Sequence, residues 1–242
     1  MTIKVDVPGL MAAAGKLQSL AVSAQGLLAE MAAPLAQDPT SVGAAARLDA
    51  AALELWGAAC AQAASLNTAA THLMMIAAKF GSIEEINRYG LTMLEPAAKA
   101  SDDGALAILP PVPVLPPDVR LPISPGTPLS GEGFSRLVNA GSSANGVGFG
   151  TTATNNGIAI DTAAGAVREV AAAVPELWES PTGTAALSGR LLQYVNSLTA
   201  IADRWFALGD QSRRHADDFA ETVSATPKPQ EFQDTRTAFE QA

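Results

Sequence analysis

Few side chains in this sequence could carry out a reaction, and none stands at a productive spacing from another. The two histidines are His72 and His215, and the one cysteine is Cys60. A zinc site draws its ligands from closely spaced His and Cys residues. Neither histidine has such a neighbour, so no metal site is expected and each reads as a half-buried residue of its helix. A lone cysteine makes no intrachain disulfide; Cys60 lies in an alanine-rich run, where a small buried thiol is the expected role. Glu84 and Glu85 are adjacent, so a helix turns them to different sides and they cannot share a proton across a cleft. The stretch "GVGFGTT" at 146–152 is rich in glycine but lacks the following lysine and preceding strand of a phosphate loop. It reads as a flexible kink. Tyr194 and the serines and threonines have no evident general base. No catalytic, cofactor-binding or metal-ligating residue is assigned, and the chain is expected not to be an enzyme.

The elements that would position these residues follow from composition and spacing. The 242 residues suffice for one large domain or two small ones, and 48% are hydrophobic although only 5% are aromatic. Small apolar side chains suit closely spaced helices better than a thick sheet-based core. A net charge of −9 argues against nucleic acid, which is held by concentrated Lys and Arg. It also disfavours adhesion to anionic membranes. No run approaches the roughly 20 apolar residues of a membrane span. "MTIKVDVPGLMAAAGKLQSL" lacks the basic start and unbroken apolar core of a Sec signal peptide.

Residues 7–33 read as a helix capped by Asp6, with Pro8 in its first turn. Its seam runs from Leu10 through Leu17 and Leu20 to Met31 at alternating three- and four-residue steps. Pro34 ends it, and Thr40 or Ser41 can cap a second helix over 41–88. There Leu48, Leu55, Leu66, Leu73, Ile76 and Phe80 keep the spacing, with Gln62 the one polar intruder. Such a helix would extend ~70 Å and pair antiparallel with the first. From 96 to 130 the character changes. Eight of the sixteen prolines fall within 110–128, and their fixed φ and missing amide donors predict an extended linker. The segment 132–173 starts weakly because of its glycines, with a break expected around 144–157. A helix over 182–223 follows, marked by Leu187, Leu191, Tyr194, Leu198, Trp205 and Phe219, and "QEFQDTRTAFEQA" reads as a short closing helix. The expected fold is all-α: an elongated antiparallel bundle of two long hairpins, 1–95 and 131–242, joined by a proline-rich linker, 96–130.

Between the last two long helices stands "PELWESPTG", a turn holding the bulky Trp178 between Pro175 and Pro181. Helix, Trp turn and long helix together resemble the plan of the Trp-X-Gly secreted proteins and of the PPE domain of mycobacterial type VII (ESX) secretion. The N-terminal hairpin resembles a PE domain. In that family the second helix is followed by a Tyr-X-X-X-Asp/Glu secretion signal; "AAKFGSIEEINRYG" carries Phe80, three residues and Glu84 at that place. The order of parts is similar to that of the fused PE–PPE-like secreted proteins of the EspB type, over nearly the whole chain. Two positions depart from the pattern. Ser180 replaces the glycine of Trp-X-Gly, although Ser180–Pro181 is itself a good helix start, and Phe80 replaces the tyrosine.

The resemblance implies a non-enzymatic substrate or effector, exported folded through a bipartite signal made by Phe80 and Glu84 on one side and Trp178 and Ser180 on the other. It implies the export ATPase of that system as partner and a secreted or cell-envelope location. The polar, proline-stiffened turn "ETVSATPKPQEFQDTR", with Val223 and Phe232 as its sizeable apolar groups, predicts that no dedicated chaperone is needed. Two other readings stand beside it: an amphipathic helical protein that binds lipid or membrane, and an oligomerising structural component of the cell envelope in which the partner is a second copy.

Overall fold

The computed structural model describes residues 5–25, 27, 31–81, 130–180 and 183–241. Six α-helices run through them: α1 Val7–Gln25, α2 Pro39–Phe80, α3 Gly131–Asn139, α4 Ala144–Leu177, α5 Gly183–Ala225 and α6 Pro229–Gln241. The protein is all-helical; among the described residues the one β feature is an isolated antiparallel bridge between Val5 and Trp178.

Local chemistry accounts for most helix starts. The Asp6 carboxylate caps α1 by accepting from the Gly9 N–H at 3.0 Å. At α2 the cap is Asp38 rather than Thr40 or Ser41. Its Oδ1 accepts from the N–H groups of both, at 3.0 and 3.1 Å, and Pro39 takes the first helical position, where its missing N–H costs nothing. Ser130 caps α3 by accepting from the Gly133 N–H at 3.1 Å.

Three boundaries differ from those the sequence predicts. The first helix ends at Gln25 instead of near residue 33. Gly26 follows it in sequence, and a residue preceding a proline, as Ala33 does, is disfavoured in the helical region. Residues 31–38 run without helix yet bury Ala32, Leu35 and Ala36, while Met31, expected in the seam, is exposed. Buried backbone of this kind must find partners elsewhere. The Ala32 N–H donates to the Asp49 carboxylate, and the Leu35 carbonyl accepts from the Ser142 N–H at 2.7 Å. Secondly, α2 ends at Phe80, with Gly81 outside it; residues 82–88 of the predicted 41–88 helix lie outside the described residues, as does the predicted linker up to residue 129. Thirdly, the break expected at 144–157 falls at 140–143, and 144–157 is helical.

The glycines of α4 explain the third difference. A Cβ on Gly150 would lie 2.9 Å from the Gly209 carbonyl oxygen, and one on Gly209 would lie 2.9 Å from that of Gly150. A Cβ on Gly157 would press on the Phe206 ring at 2.7 Å. Within "GVGFG" Gly146 and Gly150 therefore form a close-approach face and not a kink, Phe149 is buried, and Gly148 faces open space. Contact with the facing helix outweighs the low intrinsic helix propensity of glycine.

The chain divides into two compact units. The first draws on Met1–Leu27, Trp56–Pro116 and Ile158–Asp203, with Leu10, Leu17, Leu66, Leu73, Ile160 and Leu198 fully buried in it. Here α1 lies along α4, with Lys16 paired to Glu169. The same unit joins α4 to α5 through the Ser188 hydroxyl, which donates to the Ala171 carbonyl at 3.1 Å. Gln62, the polar intruder of α2, is 0% exposed, and its Nε2 donates to Ser197 Oγ at 2.6 Å. The second unit draws on Leu28–Leu55, Pro117–Gly157 and Arg204–Ala242. Leu35, Ala36, Val138 and Phe219 form a buried cluster in it, with Val223 against it. In this unit Ser212 Oγ donates to the Gly146 carbonyl at 2.7 Å, and Arg213 Nη2 donates to Gly150 O and Thr154 Oγ1 at 3.1 and 2.7 Å.

Candidate functional site

The Trp178 corner lies in the first unit, where α4 hands over to α5. α4 continues through Pro175 to Leu177, and the Trp178 N–H still donates to the Val174 carbonyl at 3.0 Å. Two side chains take three of the backbone groups beyond it. Ser180 Oγ accepts from the Gly183 N–H at 3.1 Å, and Thr184 Oγ1 accepts from the Ser180 N–H at 3.0 Å. The Thr184 hydroxyl in turn donates to the Trp178 carbonyl at 2.5 Å. With the turn satisfied in this way, the indole folds inward and is 5% exposed. Its benzo edge lies over Gly183, where a Cβ would be 2.8 Å from Cζ2. Its Nε1–H is buried without a partner, so the ring is held by packing alone.

Gly183 and Thr184 are the residues that the sequence reading missed. A glycine is absent two positions after the Trp, but one five positions on takes the close approach to the ring. Its signal in the sequence was only the glycine at the end of "WESPTG".

Residues 5–9 are tied to this corner. Val5 bridges Trp178, and the Asp6 N–H donates to the Leu177 carbonyl at 2.8 Å. A Cβ on Gly9 would clash with Leu177 and with the capping Asp6 carboxylate. The end of α2 reaches the same N-terminal turn: Gly81, whose N–H donates to Ala77 O at 2.8 Å, lies against Val7, with its Cβ position 3.1 Å from Val7 Cγ1. Leu177 and Trp178 of the corner, and Gly81 at the Phe80 end of α2, thus both meet residues 5–9. Phe80 closes no core there. It is 41% exposed, contrary to its place in the predicted seam. Glu84 lies outside the described residues.

The residues first considered for chemistry are dispersed. His72 is half-buried on α2, with Nδ1 unpartnered, and burial lowers its pKa. Burial raises the pKa of Cys60, which is half-buried rather than buried; this makes the thiol a poorer nucleophile. Burial also pushes the Tyr194 phenol up to about 12, against a smaller opposing effect of Arg190. His215, in the second unit, lines a small cavity with Ser41, Asn145 and Ser212 among mostly apolar neighbours. Among the described residues no group of three His, Cys, Asp or Glu could hold a metal ion, and no helix is long and apolar enough to cross a membrane. No protein-family model matches the chain, and no curated protein matches it.

Proposed function

We propose that this protein is a non-enzymatic substrate of a type VII secretion system, exported folded and recognised by the export ATPase through a composite surface. In this reading residues 1–95 and 131–242 are two antiparallel hairpins packed as an elongated bundle, with 96–130 as their linker. Phe80 and Glu84 supply the exposed half of the signal. Trp178 and Ser180 supply the ordered corner that holds this end of the protein in shape. The observation that carries the reading is the convergence of the Phe80 end of α2 and the Trp178 corner on residues 5–9. The exposure of Phe80 adds to it, since an aromatic that closes no core is available to a partner.

The test is export from a host carrying the cognate system. Glu84→Gln is expected to abolish export while leaving the melting temperature unchanged, because a negative charge near a helix C-terminus contributes nothing favourable to the helix. Phe80→Tyr is expected to preserve or raise export, and Glu85→Gln to leave it intact. Export of Glu84→Gln at the level of the parent would refute the signal.

A further inference from the structure

The short helix α6 is fastened to the second unit in an unusual way. Each of the other helices buries apolar residues, but α6 buries none. A helix of 13 residues is not stable in water on its own, so its order must come from docking. The contacts that dock it are mostly polar and charged. Arg236 Nη2 pairs with Glu132 Oε2 of α3 at 2.9 Å. Lys228 Nζ, just ahead of α6, donates to Asn139 Oδ1 at 2.8 Å, and Ser135 Oγ donates to the Pro227 carbonyl at 2.5 Å. The apolar share is small: Pro229 and Phe232 are half-buried, and Phe232 lies against Gly131, whose Cβ position is 3.1 Å from Cε1. Phe239, a turn beyond the Arg236 contact, is 84% exposed.

Glu132 is the hub of this attachment. Its other oxygen takes Arg136 of its own helix at 2.5 Å, so one carboxylate serves two guanidiniums. Both keep its pKa below the ordinary glutamate range, the Arg136 hydrogen bond most of all. The carboxylate is 17% exposed and the arginines 60% and 65%. Because the arginines face water, the attachment is open to screening by salt from their side, whereas the buried cluster of Val138 and Phe219 is not.

We propose that α6 is a strap latched electrostatically on α3, which releases as a unit while the rest of the protein stays folded. Its opening is the lowest-energy transition of the second unit and is governed by ionic strength through Glu132. Release frees Phe232, which then joins the already exposed Phe239 on one face of α6, and the N-terminal turn of α3 together.

Native-state hydrogen exchange on the full chain, read by residue in NMR, tests this. At 50 mM NaCl the α6 amides are expected to exchange at least tenfold faster than those of α5 in the same unit. In 1 M NaCl they should speed up several-fold more, with the α5 amides unchanged. Glu132→Gln and Arg236→Gln, altering the pair from either side, should each reproduce the high-salt rates at 50 mM and abolish the response to salt. Exchange of α6 at the rates of α5 would overturn the proposal. So would a salt response that survives both substitutions, because charges other than the Glu132–Arg236 pair would then hold the strap.

Discussion

Substituting alanine for glycine at two positions separated by one residue should have opposite effects on stability. In a helix interior Gly→Ala gains roughly 1 kcal/mol from backbone entropy and propensity. At Gly148 nothing lies within 4 Å of the new methyl, so Gly148→Ala should realise that gain. Gly165 and Gly189 are equally open and serve as controls on α4 and α5. At Gly150 the methyl would sit 2.9 Å from both the Gly209 carbonyl oxygen and Arg213 Cγ. One of these neighbours is backbone, so the helices must separate by some tenths of an ångström. Overpacking of this kind costs about 1–3 kcal/mol. Separation would also stretch the Arg213 bonds to Gly150 and Thr154, which span the same gap; hydrogen bonds from a charged donor contribute about 1.5–3 kcal/mol. The propensity gain is smaller than this sum. Gly150→Ala, and Gly209→Ala from the facing side, should therefore destabilise by about 1.5–5 kcal/mol. At about 2–4 °C per kcal/mol for a chain of this size, thermal melting followed by circular dichroism at 222 nm should resolve the two classes. Gly148, Gly165 and Gly189 variants should melt higher than the parent, and Gly150 and Gly209 variants lower. If Gly150→Ala and Gly209→Ala melted higher as well, the close approach of α4 and α5 would be wrong.

Trp178→Ala should cost about 3–5 kcal/mol in urea unfolding, and Trp178→Phe distinctly less; equal losses would show that the ring does not pack as described. Thr184→Val leaves the Ser180 N–H and the Trp178 carbonyl without their shared partner, so a loss of about 1–3 kcal/mol is expected. Burial lowers the His72 pKa, so the unfolded chain takes up that proton first as pH falls. The stability tied to neutral His72 is present above the free-histidine value of about 6.5 and is lost as pH drops through the lower folded value. The melting temperature of the parent should thus fall more steeply below pH 6.5 than that of His72→Gln, and parallel curves would count against the assignment.

The helical character of the chain could be read from sequence because its signals are local. The stripe from Leu187 to Phe219 repeats every three or four residues, so one face of α5 is apolar whatever it packs against. Asp6 and Ser180 cap from within a few residues of the N–H groups they satisfy, so their roles needed no knowledge of the fold. What remained hidden depended on a partner distant in sequence. Gly150 reads as a helix breaker until Gly209 faces it, and then the missing Cβ is what lets α4 pass. Residues 31–33 read as more helix until Asp49 takes the Ala32 N–H in another conformation. Gln62 is an intruder until Ser197, 135 residues on, takes its amide. At the candidate site the resemblance carried by the sequence named Phe80, Glu84, Trp178 and Ser180, of which Glu84 lies outside the described residues. That Trp178 turns inward over Gly183 while Phe80 faces out was decided by the tertiary structure, because periodicity assigns a residue to a helix face and only the neighbouring segment determines whether that face is covered.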